Sequence, residues 1–332
     1  MYSPQELAAI GVVTRTAACL GLAGALGVFA LFFRFRTQFA SPIGKLAFAM
    51  AVADLTDAGF KAIGTAGPAQ GAQSVLCQTQ GVGIQFGTLA AVFSSLLMAA
   101  WSVYLVCLNG RTESIVRRQY ASIFVCTVAL PAPLALYPVL VHPLLFPGQL
   151  LVGDTRLWCW IETRFFAYQL ALFYVWLWTV LAINIATLAV TWNYLRHLHS
   201  SASRFLIKRM AAYLVAFVVA WAFSTLNRVV DLASGPVFAL TVLQAAFSPS
   251  RGMWNFIAFY YSWYYSPSRL AATVTKPLHL AAIATPSKAK HCAAVCTDHD
   301  AAYAVKTTEV TSRSESWLSD VSGIVDTYSN RL

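Results

Sequence analysis

The side chains with the clearest capacity for chemistry are charged residues inside long apolar stretches. Asp54 and Asp57 fall in one stretch, and Arg251 falls in the last one. If these stretches cross a membrane as helices, Asp57 and Arg251 lie at similar depth, each roughly 20 Å from the end of its helix near Gly44 or Tyr264. A charge at mid-bilayer costs about 3 kcal/mol or more unless it is paired. We therefore expect Arg251 to pair with Asp57 or Asp54; the alternative is an arginine that faces a water-filled cavity.

The composition supports a membrane-spanning chain. Hydrophobic residues make up 58% of the 332 residues and charged residues only 11%, whereas a soluble domain carries about 25% charged residues. The apolar residues form blocks long enough to cross a hydrocarbon layer of about 30 Å. Seven blocks are predicted, at residues 8–33, 44–66, 77–108, 121–141, 166–195, 210–232 and 238–264. Because the gaps are short, we expect an all-α seven-helix bundle.

The distribution of basic residues predicts the orientation of this bundle. Gaps 34–45, 109–120 and 196–209 hold ten Lys and Arg, whereas the opposite gaps hold only Arg156 and Arg164. Basic residues concentrate on the cytoplasmic side, so the N-terminus is expected outside. The formal charge of +10 then faces anionic lipid and cytosolic proteins, and no nucleic-acid partner is expected.

Two regions follow from this layout. Residues 1–265 are predicted to form the membrane domain, whose first helix serves as its own targeting signal because no basic n-region precedes it. Residues 266–332 intersperse Ser and Thr with charges, which is typical of a disordered tail. That tail is expected in the cytoplasm, where Cys292 and Cys296 are either palmitoylated or unmodified.

The cysteines divide by their predicted depth. Cys77 begins the third block and Cys159 lies in the second outer loop, so both reach the outer side. Disulfides persist there and not in the cytosol. A Cys77–Cys159 bridge would tie the loop across the mouth of the bundle; the alternative is two free thiols.

Four motifs point to one family. The sixth block contains AWAFSTLNR, the seventh SPSRGMWNFIAFY, the third opens with LCQTQGVGIQF, and the loop carries WCWI. Together they resemble the cyclic-AMP-receptor-like (class E) family of G-protein-coupled receptors, although Arg251 stands where the family pattern has glutamine. The resemblance implies a receptor that activates a heterotrimeric G protein.

Within such a receptor, Asp54, Asp57, Arg251 and Asn255 are expected to form a polar network inside the membrane. Asp54 occupies a place like that of the helix-2 aspartate common to these receptors, where it takes part in a state-dependent network or ion site. A structural carboxylate is the alternative. Trp221 would either change rotamer as its helix moves or serve only in packing.

A pocket that opens outward is predicted near the outer ends of the helices. Its candidate residues are Lys61, Gln85, Arg164, Trp221, Asn227, Arg228 and Asp231. The excess of cations favours an anionic or polar small molecule, although an i,i+3 ion pair is the simpler interpretation of Arg228 and Asp231.

On the cytoplasmic side, seven basic residues are predicted to face the G protein. They are Arg111, Arg117, Arg118, Arg196, Arg204, Lys208 and Arg209. Phosphorylation of the tail by a kinase could recruit a desensitising partner.

Other function classes fit less well. The six histidines show neither zinc-ligand spacing nor a pairing with serine, so no enzyme, metal or cofactor is expected. Residues 238–264 contain no lysine, which excludes a retinal Schiff base in that block. The remaining alternative is a seven-helix sugar-type transporter with a 3+1+3 repeat, but its prolines should recur in the first and last three helices, and they do not. We expect a multi-pass protein of the plasma membrane.

Overall fold

The structure is a computed structural model that describes residues 2–36, 42–107, 114–195 and 201–264. Helices dominate it, with one two-stranded sheet between the fourth and fifth predicted blocks. The elements are α1 Pro4–Arg34, α2 Pro42–Ala62, α3 Ala66–Ala69, α4 Val75–Cys107, α5 Ser114–Phe124, α6 Pro131–Leu136, α7 His142–Leu145, β1 Val152–Asp154, β2 Cys159–Ile161, α8 Phe166–Gln169, α9 Val175–Leu195, α10 Ser201–Ser234, α11 Phe238–Phe247 and α12 Arg251–Tyr264.

Within the described residues, five helical stretches are long and apolar enough to cross a membrane, in agreement with a multi-pass membrane protein. They are Pro4–Arg34, Val75–Tyr104, Arg118–Leu145, Thr163–Asn193 and Ile207–Ser234. The second predicted block falls short because α2 carries Lys45, Asp54, Asp57 and Lys61. The seventh falls short because turns at residues 248–250 divide it into α11 and α12. Seven spans and an outer N-terminus therefore stay predictions.

The first helix begins earlier than the hydrophobic pattern indicates. The Ser3 backbone donates to Glu6 Oε2 over 2.7 Å, and the Glu6 backbone donates to Ser3 Oγ over 3.2 Å. This reciprocal pair is a capping box, which satisfies backbone N–H groups at a helix start. Pro4 follows at the first helical position, where its missing N–H costs nothing.

The fourth predicted block is longer than expected and contains two π-helical segments, Val125–Ala129 and Tyr137–Val141. Pro131 and Pro133 lie just after the first segment, and Pro138 lies in the second. A proline cannot donate its backbone bond and crowds the preceding turn. The wider π turns keep the segment helical through these positions.

The sixth predicted block also begins earlier, at Ser201 rather than residue 210. Arg204, Lys208 and Arg209 therefore lie on α10 and not in a loop, which corrects the predicted third inner loop. The boundary was misplaced because these basic residues interrupt the apolar pattern, although they do not interrupt helical geometry.

Small residues allow close packing of α1 against α12. A Cβ atom added to Gly24 would overlap the Gly252 carbonyl, and one added to Gly252 would overlap Gly21. Glycine pairs of this kind let helix backbones approach closely in membranes. This contact brings the start of α12, and hence Arg251, into the centre of the bundle.

Candidate functional site

Arg251 is the residue on which the buried charges converge. Its Nε donates a hydrogen bond to Asp54 Oδ1 over 2.7 Å, and its Nη2 lies 3.2 Å from Asp57 Oδ2. Arg251 is only 3% exposed, and both aspartates are at least as buried. The first residue of α12 thus contacts both carboxylates of α2, which is the arrangement expected for a paired arginine.

The remaining oxygens of the two carboxylates also have donors. Asn255 Nδ2 donates to Asp54 Oδ2 over 2.7 Å, and Thr88 Oγ1 donates to Asp57 Oδ1 over 2.8 Å. Lys61 Nζ donates to Asp57 Oδ2 over 2.9 Å. We call this set of six residues the ion network: Asp54, Asp57, Lys61, Thr88, Arg251 and Asn255. It links α2, α4 and α12. The pairing also offsets the free-energy cost of placing these charges in a membrane interior.

Lys61, which the sequence analysis assigned to an outward pocket, lies in the ion network. It is 1% exposed and also donates to Ser248 Oγ over 2.8 Å. Ser248 lies in the turn between α11 and α12. Lys61 thus holds the broken part of the seventh block against α2.

Trp221 of α10 lies beside the ion network. The Arg251 guanidinium lies 5.5 Å from its ring centroid and Lys61 Nζ lies 5.7 Å from it. Phe173 of the fifth block packs on the same side chain at 5.3 Å between ring centroids. A change in the Trp221 rotamer would therefore disturb both cations, but the switching role itself stays a prediction.

The predicted disulfide between Cys77 and Cys159 is confirmed. Cys159 belongs to β2, which pairs antiparallel with β1 in the register Asp154↔Cys159 and Val152↔Ile161. The sequence did not predict this hairpin. Gln80, one helical turn after Cys77, accepts a 2.9 Å bond from the Cys159 backbone, so side chain and disulfide fix the hairpin to α4 together.

The two tryptophans beside Cys159 are buried in the bundle. Trp158 is 3% exposed, and its ring lies 5.2 Å from Lys61 Nζ. Trp160 donates to Gln85 Oε1 over 2.6 Å, and Gln85 donates to the Leu172 carbonyl over 2.9 Å. The loop therefore fills the end of the bundle where the pocket was predicted.

Arg156 at the hairpin tip closes this end of the bundle. Its Nη1 lies 3.2 Å from Asp231 Oδ1, whereas Arg228 Nη1 lies 3.7 Å from Asp231 Oδ2. Arg156 has a φ of 74°, the left-handed region, and its guanidinium lies 5.8 Å from the Tyr2 ring. The N-terminal segment, the hairpin and the C-terminal end of α10 meet at this residue.

The other pocket candidates separate into two places. Asn227 donates to Gln244 Oε1 over 2.6 Å and is buried between α10 and α11. Arg164 lies apart, with a side chain that is 66% exposed and paired with Glu162. Arg228, Asp231 and Gln85 are thus the candidates that the structure brings around the hairpin.

The predicted cytoplasmic cations are described only in part. Arg118 and Lys208 are exposed, and Arg209 is half-buried. Arg111 and Arg196 lie outside the described residues, and the side chains of Arg117 and Arg204 are not described. The tail at 266–332 is also outside the described range.

The contributors missed from the sequence include Arg156, Thr88 and Ser248. Thr88 and Ser248 carried no signal, since hydroxyls are common in membrane helices. Arg156 did carry one, because it lies in the same predicted outer loop as Cys159, on the side of the membrane where Asp231 was expected.

Comparisons with known proteins agree on one family. A family model described as slime mold cyclic AMP receptor matches residues 5–284. The chain is 24% identical over 212 residues to Cyclic AMP receptor 1 of Dictyostelium discoideum and 26% identical over 197 residues to Cyclic AMP receptor 2. These alignments cover 60% and 56% of this chain and 51% and 48% of the relatives. The chain therefore spans about half the length of the curated relatives it matches.

Proposed function

Because the chain belongs to the slime mold cyclic AMP receptor family, we propose that it is a seven-helix receptor with its N-terminus outside the cell. An extracellular small molecule binds it at the plasma membrane, and the receptor then activates a heterotrimeric G protein. The match over residues 5–284 carries this proposal because it runs from the first turn of α1 to beyond the end of α12. The family is one of receptors and not of enzymes.

The ligand is proposed to be a small anion of the cyclic nucleotide type. The two relatives are named as cyclic AMP receptors, and Arg228 could hold a phosphate here. Its Nε lacks a hydrogen-bond partner within the described part of the chain, although the residue is only 5% exposed. Arginine binds phosphate oxygens strongly, and the Trp160 ring, 5.7 Å from the Arg228 guanidinium, offers a surface for a base.

The ligand can reach Arg228 only if the hairpin moves. The Arg156–Asp231 pair lies on this path, and the Arg156 side chain is 39% exposed, so water already reaches it. An anion that replaces Asp231 as the partner of Arg156 or Arg228 would favour the open state. A difference of a few kcal/mol in affinity between the two states is enough to shift their populations.

The proposed output is an outward movement of the inner half of α10. A cavity of about 30 Å³ already separates α4, α9 and α10 there, with Ser102, Asn184 and Arg209 in its wall. Widening it would create a crevice flanked by the exposed Arg118 and Lys208, where complementary charge would attract a G-protein surface. Phosphorylation of the tail at 266–332 by a kinase is proposed to end the signal.

A G-protein dissociation assay in cells that lack related receptors tests this function. Cyclic AMP, cyclic GMP and non-cyclic phosphates are added outside, and we expect at least one cyclic nucleotide to dissociate the G protein. Arg228→Gln should raise the concentration required, whereas Arg164→Gln, which removes an exposed cation, should not. Saturable uptake into vesicles without G-protein dissociation would instead indicate a transporter.

A further inference from the structure

A second small cavity lies between Trp221 and the ion network. Its volume is about 20 Å³, and its wall includes Ser95, Tyr213, Trp221, Arg251 and Asn255 together with apolar side chains. A cavity of this size holds about one water molecule or one monatomic ion. The chemistry of its wall determines which of these it favours.

The acceptors of the ion network are already engaged. Asp54 Oδ1 and Oδ2 accept from Arg251 and Asn255. Asp57 Oδ1 and Oδ2 accept from Thr88 and Lys61. Each of these four oxygens thus already accepts a hydrogen bond, and a metal cation in the cavity would lie next to the positive charge of Arg251.

Donors, in contrast, remain without acceptors. Arg251 Nη1 and Trp221 Nε1 have no hydrogen-bond partner within the described residues, although both side chains belong to the cavity wall and are at least nine-tenths buried. A buried donor without an acceptor is costly. The hydroxyl of Ser95 accepts a 2.9 Å bond from Asn184, so its own hydrogen is free to point elsewhere.

The local charge also tolerates an anion. Asp54 and Asp57 are balanced by Arg251 and Lys61, and Arg209 adds a third cation in the neighbouring cavity, which shares Ser95, Met98 and Tyr213 with this one. Arg251 is the first residue of α12, and the N-terminus of a helix favours negative charge. An acceptor without protons satisfies several donors better than water, which brings two protons of its own.

We propose that this cavity binds one chloride ion, held by Arg251 Nη1 and Trp221 Nε1. The ion joins α10, which carries Trp221, to α12, which carries Arg251. It stabilises the bundle with Trp221 in its present rotamer. The site does not depend on the proposed signalling function, because it rests on the donor excess around Arg251 alone.

Thermal unfolding of the purified protein in detergent tests the site. Chloride is titrated against gluconate at constant sodium concentration and ionic strength. We expect the melting temperature to rise with chloride and then saturate, with bromide acting similarly. Trp221→Phe removes one donor to a charged acceptor, so the chloride concentration at half effect should increase roughly tenfold. Trp192→Phe, which changes an exposed tryptophan of α9, should leave it unchanged.

Tyr213→Phe is a second and milder variant, because it removes one hydroxyl group from a residue of the cavity wall and keeps the aromatic ring. It should shift the chloride dependence in the same direction as Trp221→Phe. Equal melting temperatures in chloride and gluconate would overturn the proposal, and so would an identical chloride response in the native protein and in both cavity variants. Either result is independent of G-protein coupling, so it leaves the proposed function unaffected.

Discussion

Arg251 Nε and Asp54 Oδ1 lie 2.7 Å apart, although the two residues belong to helices at opposite ends of the described chain. The bond joins α12 to α2 in a place where neither charge can reach water. Asp57 lies 3.2 Å from the same guanidinium. The seventh predicted block is thus held to the second by charge as well as by packing.

Removal of the Arg251 charge should strongly destabilise the bundle. Arg251→Gln leaves two buried carboxylates with only Lys61 as a cation, and breaking a buried ion pair costs about 3–5 kcal/mol. We expect a marked fall in surface expression and in the melting temperature in detergent. Lys208→Gln removes an exposed cation and is the control, with little change expected.

A double variant distinguishes loss of a specific ion pair from a general loss of stability. Asp54→Asn together with Arg251→Gln should cost less than the sum of the two single changes, because the second change removes a charge that the first left unpaired. Additive losses would contradict the pairing. So would a native melting temperature for Arg251→Gln alone.

The disulfide should be needed to hold the hairpin against α4. Cys77→Ser and Cys159→Ser should have equal effects on surface expression, and the double variant should be no worse than either. The bridge closes a sequence separation of 82 residues, for which removal costs about 2–5 kcal/mol. Cys19→Ser, at an exposed free thiol, is the control. Unequal single variants, or free thiols at both positions by mass spectrometry, would contradict this.

The sequence was sufficient to predict charge pairing because burial of charge leaves few alternatives. Asp54, Asp57 and Arg251 had to find one another or water. Lys61 was assigned to a pocket because its position near the helix end gave no indication that the loop would cover it. Helix pairing in three dimensions is not encoded in local periodicity.

The loop that contains Cys159 was also only partly predictable from the sequence. The motif WCWI marked the disulfide, but the strands β1 and β2 are three residues each, too short for an alternation pattern to reveal them. The break of the seventh block after Phe247 was likewise missed, since Ser248, Pro249 and Ser250 were read as part of a continuous apolar span. Pro249 was the available signal.

Two glycines of α1 provide a matched test of the contact between α1 and α12. In Gly24→Ala the new Cβ would lie 2.5 Å from the Gly252 carbonyl carbon and from Met253 Cα, whereas nothing lies within 4 Å of a Cβ at Gly11. Overpacking should cost Gly24→Ala about 1–3 kcal/mol. Gly11→Ala should be neutral or stabilising by about 0.5–1 kcal/mol. Equal melting temperatures for the two variants would contradict the close approach.

Opening of the outer mouth should depend on the Arg156–Asp231 pair. Arg156→Gln and Asp231→Asn should each speed hydrogen exchange in the hairpin backbone and accelerate ligand dissociation, because the pair is one of the contacts holding the hairpin tip. The exchanged pair, Arg156→Asp with Asp231→Arg, should recover part of the slow exchange. Arg164→Gln is the control. Exchange rates that match the native protein in all three charge variants would contradict a role for this pair in holding the hairpin.

The most direct test of receptor function is the binding of labelled cyclic AMP to membranes that contain this protein and a heterotrimeric G protein. Coupling between two sites is reciprocal, so the G protein should raise the affinity for the nucleotide. A non-hydrolysable GTP analogue should then lower it about 5- to 150-fold. High-affinity binding that does not respond to the GTP analogue, with the G protein shown to be present and active, would contradict the account.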